Sequence, residues 1–319
     1  MTTQLPFMKW AFPVLLLIVL IEALYLMRVR RQSYAWRQSL SSIAIAVGHK
    51  LTGLASAALL VGAYGWVWQH RLFTIDVRHW QGIAMLFVGV EFCYYWHHRI
   101  SHQSRWFWAT HSVHHSPQQL NLSGAYRLGW TGTISSVGLF YVPLMLLGFP
   151  PIAVFTMLGL NLLYQFWLHT ELVPPLGWLE KIINTPSNHR VHHAVNPRYL
   201  DTNFGGVVMV FDHLFGSYQA ERADDPCRYG LVHQIDSANP LVVLFHEWRA
   251  IGRDLRNSRS LSQLVGYLFG PPGWNPAGSG STSRVLKSAI TLPVGASASA
   301  GRAVRSTDAA ARPAAARSP

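Results

Sequence analysis

YYWHHRISHQSRWFWATHSVHH, residues 94–115, reads H-x3-H at His98 and His102 and then H-x2-H-H at His111, His114 and His115. A third group, NHRVHH, repeats the second pattern at His189, His192 and His193. Spacings of three and four residues place imidazoles on one face of a helix, with Cβ atoms roughly 5–6 Å apart, so each group is expected to converge on one point. Converging neutral imidazoles are how proteins hold transition metals. The stretch therefore predicts helices whose ends meet at a metal site.

The chain around it has the composition of a membrane protein: 319 residues, half of them hydrophobic and only 13% charged. Long apolar runs cover residues 11–27, 43–68, 82–96 and 131–167. The last is long enough to cross twice at about 20 residues per spanning helix, with GFPP at 148–151 as the break between two arms. About four to five spans follow. A bilayer demands that the backbone satisfy its own hydrogen bonds, so the expected class is all-α: an integral membrane helical bundle with a cytoplasmic helical cap holding a histidine-rich dimetal site. The expected domains are N-terminal transmembrane helices over 1–80, a catalytic domain over 81–270 and a disordered basic tail over 271–319.

Sidedness is read from Arg and Lys. The run at 11–27 lasts too long for a signal peptide and lacks a small-residue cleavage site, which predicts a retained anchor. Arg28, Arg30, Arg31 and Arg37 follow it in a short loop, and the positive-inside rule makes that loop cytoplasmic. Counting spans forward puts the loop at 69–78 and the GFPP turn outside. The histidine groups, and His169 in FWLHTE, then fall on the cytoplasmic face.

Net charge is +12, but the basic residues form no stripe beside stacking aromatics, so nucleic acid is not an expected partner. Much of the excess sits in the Ala/Ser/Gly/Pro/Arg-rich C-terminal segment, which lacks the periodicity needed to bury a core. Cys93 and Cys227 are the only cysteines, which excludes a disulfide framework and a thiolate-rich metal site. Imidazole and carboxylate remain as ligands.

Eight or nine imidazoles exceed what one tetrahedral ion uses, so two metals are the natural count. Ligand type alone does not separate iron from zinc. His49, His70, His79, His213, His233 and His246 stand alone and read as ordinary hydrogen-bonded residues. His246-Glu247 begins a metalloprotease motif, but Ala250 stands where its second histidine belongs. A membrane metal-binding protein or metal transporter is the competing class; its ligands would be spread through the spans, whereas these crowd at helix ends.

The order H-x3-H, H-x2-H-H, H-x2-H-H resembles the fatty acid hydroxylase and sterol desaturase superfamily of membrane di-iron oxygenases. The strings YYWHHRISH, WATHSVHHSPQQLNLS, FWLHTE, NTPSNHRVHH and FDHLFGSY look like its alkylglycerol monooxygenase branch and bacterial relatives. The likeness runs over residues 87–251. One position departs: Gln103 follows His102 where that branch typically carries an acidic residue.

The resemblance implies a non-haem di-iron centre that uses O2 to hydroxylate or desaturate a C–H bond of a fatty acyl, sterol or ether lipid. Zinc could replace iron in purified protein. Carried over residue by residue, the ligands are His98, His102, His111, His114, His115, His189, His192 and His193, with His169 as a ninth. His97 lies about 100° around the helix from His98 and is left out. Glu91, two turns before His98, is expected to orient a ligand imidazole. Asn121, Arg127, Asn203 and Asp212 are further polar candidates for support of the site. No nicotinamide or haem-attachment motif is present, so electrons are expected from a separate donor.

Overall fold

The computed structural model describes residues 8–291, with side chains from residue 13. Among the described residues the fold is helical. Its only β-pairing is two isolated bridges, Ile183 with Val208 and Ala194 with Tyr229. The first three helices are long: α1 (Met8–Arg28), α2 (Trp36–Gln69) and α3 (Trp80–Gln103). Then come α4 (Arg105–His115), α5 (Val142–Leu147), α6 (Pro151–Gln165), α7 (Pro186–His193), α8 (Val210–Leu214), α9 (Pro240–Arg256), α10 (Leu261–Phe269) and α11 (Ser283–Thr291).

Among the described residues two helical stretches are long and apolar enough to cross a membrane, α2 and Pro151–Leu168. Leu51, Leu54, Leu59, Val61 and Trp66 of α2 all face outward. An apolar band of that size is stable only against other apolar matter. Fewer spans meet the test than the four to five expected. The run at 82–96 lies within α3, where Glu91, His97, His98 and His102 dilute it. The hairpin's first arm is helical only over Val137–Leu147, too short to cross as a helix. The run at 11–27 begins before the described side chains.

The core sits where α3 meets the α5–α6 hairpin, with Leu86, Val90, Tyr141, Leu144, Met145 and Val154 packed together. The hairpin turn is tight because Gly148 holds φ at +120°. Its neighbours pair with the α2–α3 loop: Leu72 N–H donates to Leu146 O at 2.7 Å and Ile75 N–H to Gly148 O at 3.1 Å. The two loops assigned to one side from charge alone thus meet at one end of the bundle. A Cβ on Gly148 would stand 2.3 Å from Phe73 O. Gly148→Ala is therefore expected to cost about 2–3 kcal/mol through left-handed strain and this clash, measured as a lowered melting temperature.

The opposite end is tied by polar bonds. Glu22 of α1 is buried and accepts from Leu122 N–H (2.8 Å) and Thr170 Oγ1 (2.6 Å). Arg105 of α4 donates to Glu247 (2.6 Å) and Asp254 (2.7 Å) of α9. Arg127, fully buried, clamps Ser42 Oγ and Gln38 O of α2 to Ser116 Oγ just after α4.

The C-terminal segment departs from the disorder expected of it. Thr282 Oγ1 accepts from Val285 N–H at the start of α11, and Ser281 Oγ bonds His233 Nε2 at 2.7 Å. A cap and one anchor suffice for two turns of helix that composition alone does not announce. The rest of that segment, 292–319, lies outside the described residues.

Candidate metal centre

Four segments deliver the imidazoles: the last turns of α3, the length of α4, the turn that ends the α6 arm at His169, and α7. Each is short and closely fixed. Thr185 caps α7 by accepting from Asn188 N–H, and Pro186 opens it with the φ a first helical turn needs. Asn188 Nδ2 donates back to Glu180 O at 2.8 Å.

The nine histidines fall into two groups. His98, His102, His111, His115 and His192 form one, and His114, His169, His189 and His193 the other, with ligand atoms in each group within 4.8 Å of one another. The groups abut, with the rings of His115 and His193 stacked at 4.3 Å. His97 belongs to neither and packs against Phe140 and Tyr141. The six solitary histidines also lie outside both groups.

Here the structure corrects the expectation that each motif converges on one point. Only residues four apart share a group: His98 with His102, His111 with His115, His189 with His193. The third member of each H-x2-H-H, His114 or His192, joins the other group. Positions i and i+4 differ by about 40° around a helix, while i+3 falls about 60° to the opposite side. Where α4 and α7 meet, that angle separates two centres, and it explains why the motifs carry adjacent histidines.

The ring nitrogens test whether a metal fits. His98 Nδ1 bonds Phe204 O (2.9 Å), His192 Nδ1 bonds Thr202 O (3.0 Å) and His169 Nδ1 bonds Gln165 O (2.9 Å). A carbonyl only accepts, so these three rings carry their proton on Nδ1 and present a bare Nε2. Those bare atoms face other Nε2 atoms: His98 to His111 at 3.1 Å, His192 to His115 at 3.1 Å, and His169 to His114 and His189 at 3.2 and 3.0 Å. The buried Nε2 of His102 has no partner at all. Imidazole nitrogens gathered this closely, several of them bare, fit around metal ions. Nε2–Nε2 edges of this length match right-angled ligands about 2.1 Å from a metal ion.

Burial first, and then neighbouring imidazoles, push the pKa values of His111, His115 and His193 well below the usual histidine range. Burial likewise lowers His169 to about 4. The rings are thus neutral and ready to bind metal near pH 7. With the metal removed, the unfolded chain takes up protons below about pH 6.5 while the folded one does not. Stability of the metal-free protein should then be flat above that pH and fall below it, by up to about 1.4 kcal/mol per histidine per pH unit. A melting temperature unchanged between pH 6.5 and 5 would contradict this.

The support expected from side chains comes instead through a loop. Glu91 touches no ligand imidazole, because two turns place it about 10 Å along α3 from His98. It accepts from Val207 N–H (2.9 Å), Val208 N–H (3.0 Å) and Asn161 Nδ2. Asp212, fully buried, accepts from Phe204 N–H (2.8 Å), Gly205 N–H (2.7 Å) and Ser217 Oγ (2.7 Å). Asn203 sits at φ +57° and brackets the loop with bonds to Asn188 O and Gln219. All three brace residues 202–208, whose carbonyls hold His98 and His192. Asn121 caps the turn Leu122–Tyr126 and contacts no ligand ring. Sequence reading missed Thr202, Phe204 and Gln165, which act through backbone carbonyls and so leave no mark of residue type. Gln103 is exposed and outside both groups.

Residues 83–217 match the fatty acid hydroxylase family model. The human alkylglycerol monooxygenase is 38% identical over 75% of this chain and 53% of its own length. The Xenopus tropicalis enzyme of that name is 35% identical over 76% and 56%. Ornithine lipid hydroxylase OlsE of Rhizobium tropici is 30% identical over 43% and 41%. The chain spans about half the length of the alkylglycerol monooxygenases it matches. No solved structure matches it. The segment that matches the fatty acid hydroxylase family model contains every histidine of both groups.

Proposed function

We propose that this chain is a multi-pass membrane di-iron oxygenase that hydroxylates or desaturates a C–H bond of a lipid, with its centre at the cytoplasmic face. The nine histidines are its metal ligands, five for one ion and four for the other. The single observation that carries the reading is that the bare Nε2 atoms of His98, His192 and His169 face other imidazole Nε2 atoms at 3.0–3.2 Å within two adjoining buried groups. Two irons there would supply activation of O2, with electrons from a separate donor. The protein's own part is to hold nine imidazoles, fix three of them through Phe204, Thr202 and Gln165 carbonyls, and keep water out by burial. Relatives named for alkylglycerol and ornithine lipid oxidation favour a lipid substrate, and an ether lipid fits.

The outward apolar face of α2 keeps the substrate's chain in the bilayer while one carbon reaches the centre. The test is a comparison of host lipids with and without the gene under air, by mass spectrometry. A lipid that gains one oxygen or loses two hydrogens is the expected result, and its absence would refute the proposal.

A further inference from the structure

An open surface pocket of about 650 Å³ lies away from both histidine groups and is lined by Arg37, Leu40 and Ser41 of α2 and by residues 236–240, which lead into α9. Its lining has three features. Arg37 and Asp236 both line it, yet among the described residues neither pairs with the other or with any opposite charge. Ser41, only 4% exposed, places a buried hydroxyl in the wall with no hydrogen-bond partner. Asn239 is already committed, since its side chain caps Leu241 N–H at 2.9 Å, so the start of α9 offers little to an anion. The pocket therefore presents a cation and an anion rather than one sign of charge.

Its position says what would meet it. At 34 residues α2 is about 51 Å long, against a hydrocarbon thickness of about 30 Å. Its first turns, WRQSLSS, must therefore project into the headgroup layer. Trp36, exposed, marks that boundary as interfacial tryptophans do. We propose that this pocket binds the headgroup of a zwitterionic phospholipid, with the phosphate against Arg37 and the ammonium against Asp236. This rests on the membrane placement of α2 proposed above.

The alternative is plain attraction of basic residues to acidic lipid. Arg28, Arg30 and Arg31 lie at the same end, and a purely electrostatic rim would favour phosphatidylglycerol. The two ideas predict opposite preferences. Full-length protein would be exchanged into nanodiscs of phosphatidylethanolamine and phosphatidylglycerol with matched acyl chains, and retained lipid counted by native mass spectrometry. Wild type is expected to retain phosphatidylethanolamine about three- to fivefold over phosphatidylglycerol, the scale of one solvated ion pair. Asp236→Asn should abolish that preference, and Arg37→Gln should weaken retention of both lipids. Equal retention by wild type, or a preference that survives Asp236→Asn, would overturn the headgroup site. Alkaline carbonate extraction of the native membranes separates the premises: release into the soluble fraction would sink the membrane placement, whereas a protein that stays and shows no preference sinks only the site.

Discussion

His189→Ala is expected to lower metal content from two ions per chain to one and to abolish lipid oxidation. His189 belongs to the smaller group, where four imidazoles are all that is available, and its Nε2 lies 3.0 Å from both His169 and His193. Removing it leaves three ligands and a buried hole. Changes behind metal ligands already cost about 10- to 100-fold in affinity, so loss of a ligand should exceed about 100-fold. His97→Ala is the matched control, one residue from a ligand on the same helix but outside both groups. It should keep both ions. Elemental analysis of protein from iron-supplied cells reads the difference, and a His189→Ala protein that retains two ions would remove the four-histidine site.

The same pair shows what could be read from the chain and what could not. Residue type and spacing named eight of the histidines that meet and set His97 apart, because i, i+4 geometry is local and needs no tertiary knowledge, whereas His169 came only with the family resemblance. The partition into five and four was not legible. It depends on how α4 crosses α7, which no local pattern encodes. Glu91 was singled out for a direct bond to an imidazole, since helical periodicity gives the face of a residue but not what packs on it. What packs there is the backbone of Val207 and Val208. The hairpin's first arm misled for a related reason. Residues 131–147 are apolar enough to span, yet Thr131, Ser135 and Thr110 bond one another there and the chain turns before a short 3-10 helix begins at Val137.

Asp212→Asn is the substitution outside the histidines with the largest expected effect. The carboxylate is fully buried and takes three donors, two of them backbone N–H groups of Phe204 and Gly205, on its two oxygens. Burial pushes its pKa up, and those three bonds pull the other way. An amide of the same shape has one accepting oxygen, so whichever way it turns, its NH2 meets a backbone N–H. Leaving a buried donor unpaired beside a second donor costs about 3 kcal/mol. The cost should not stay in stability. The Phe204 amide plane that Asp212 holds is contiguous with the carbonyl that accepts from His98 Nδ1, and Thr202 O accepts from His192 Nδ1 one peptide further back. Loosening that loop frees two rings of the five-histidine group while leaving the four-histidine group untouched. The expected result is therefore asymmetric: one ion held at wild-type affinity and the other weakened about 10- to 100-fold, seen as two-phase loss during titration with a chelator. A single-phase loss identical to wild type, in a protein whose melting temperature has dropped, would show that the loop supports the fold alone.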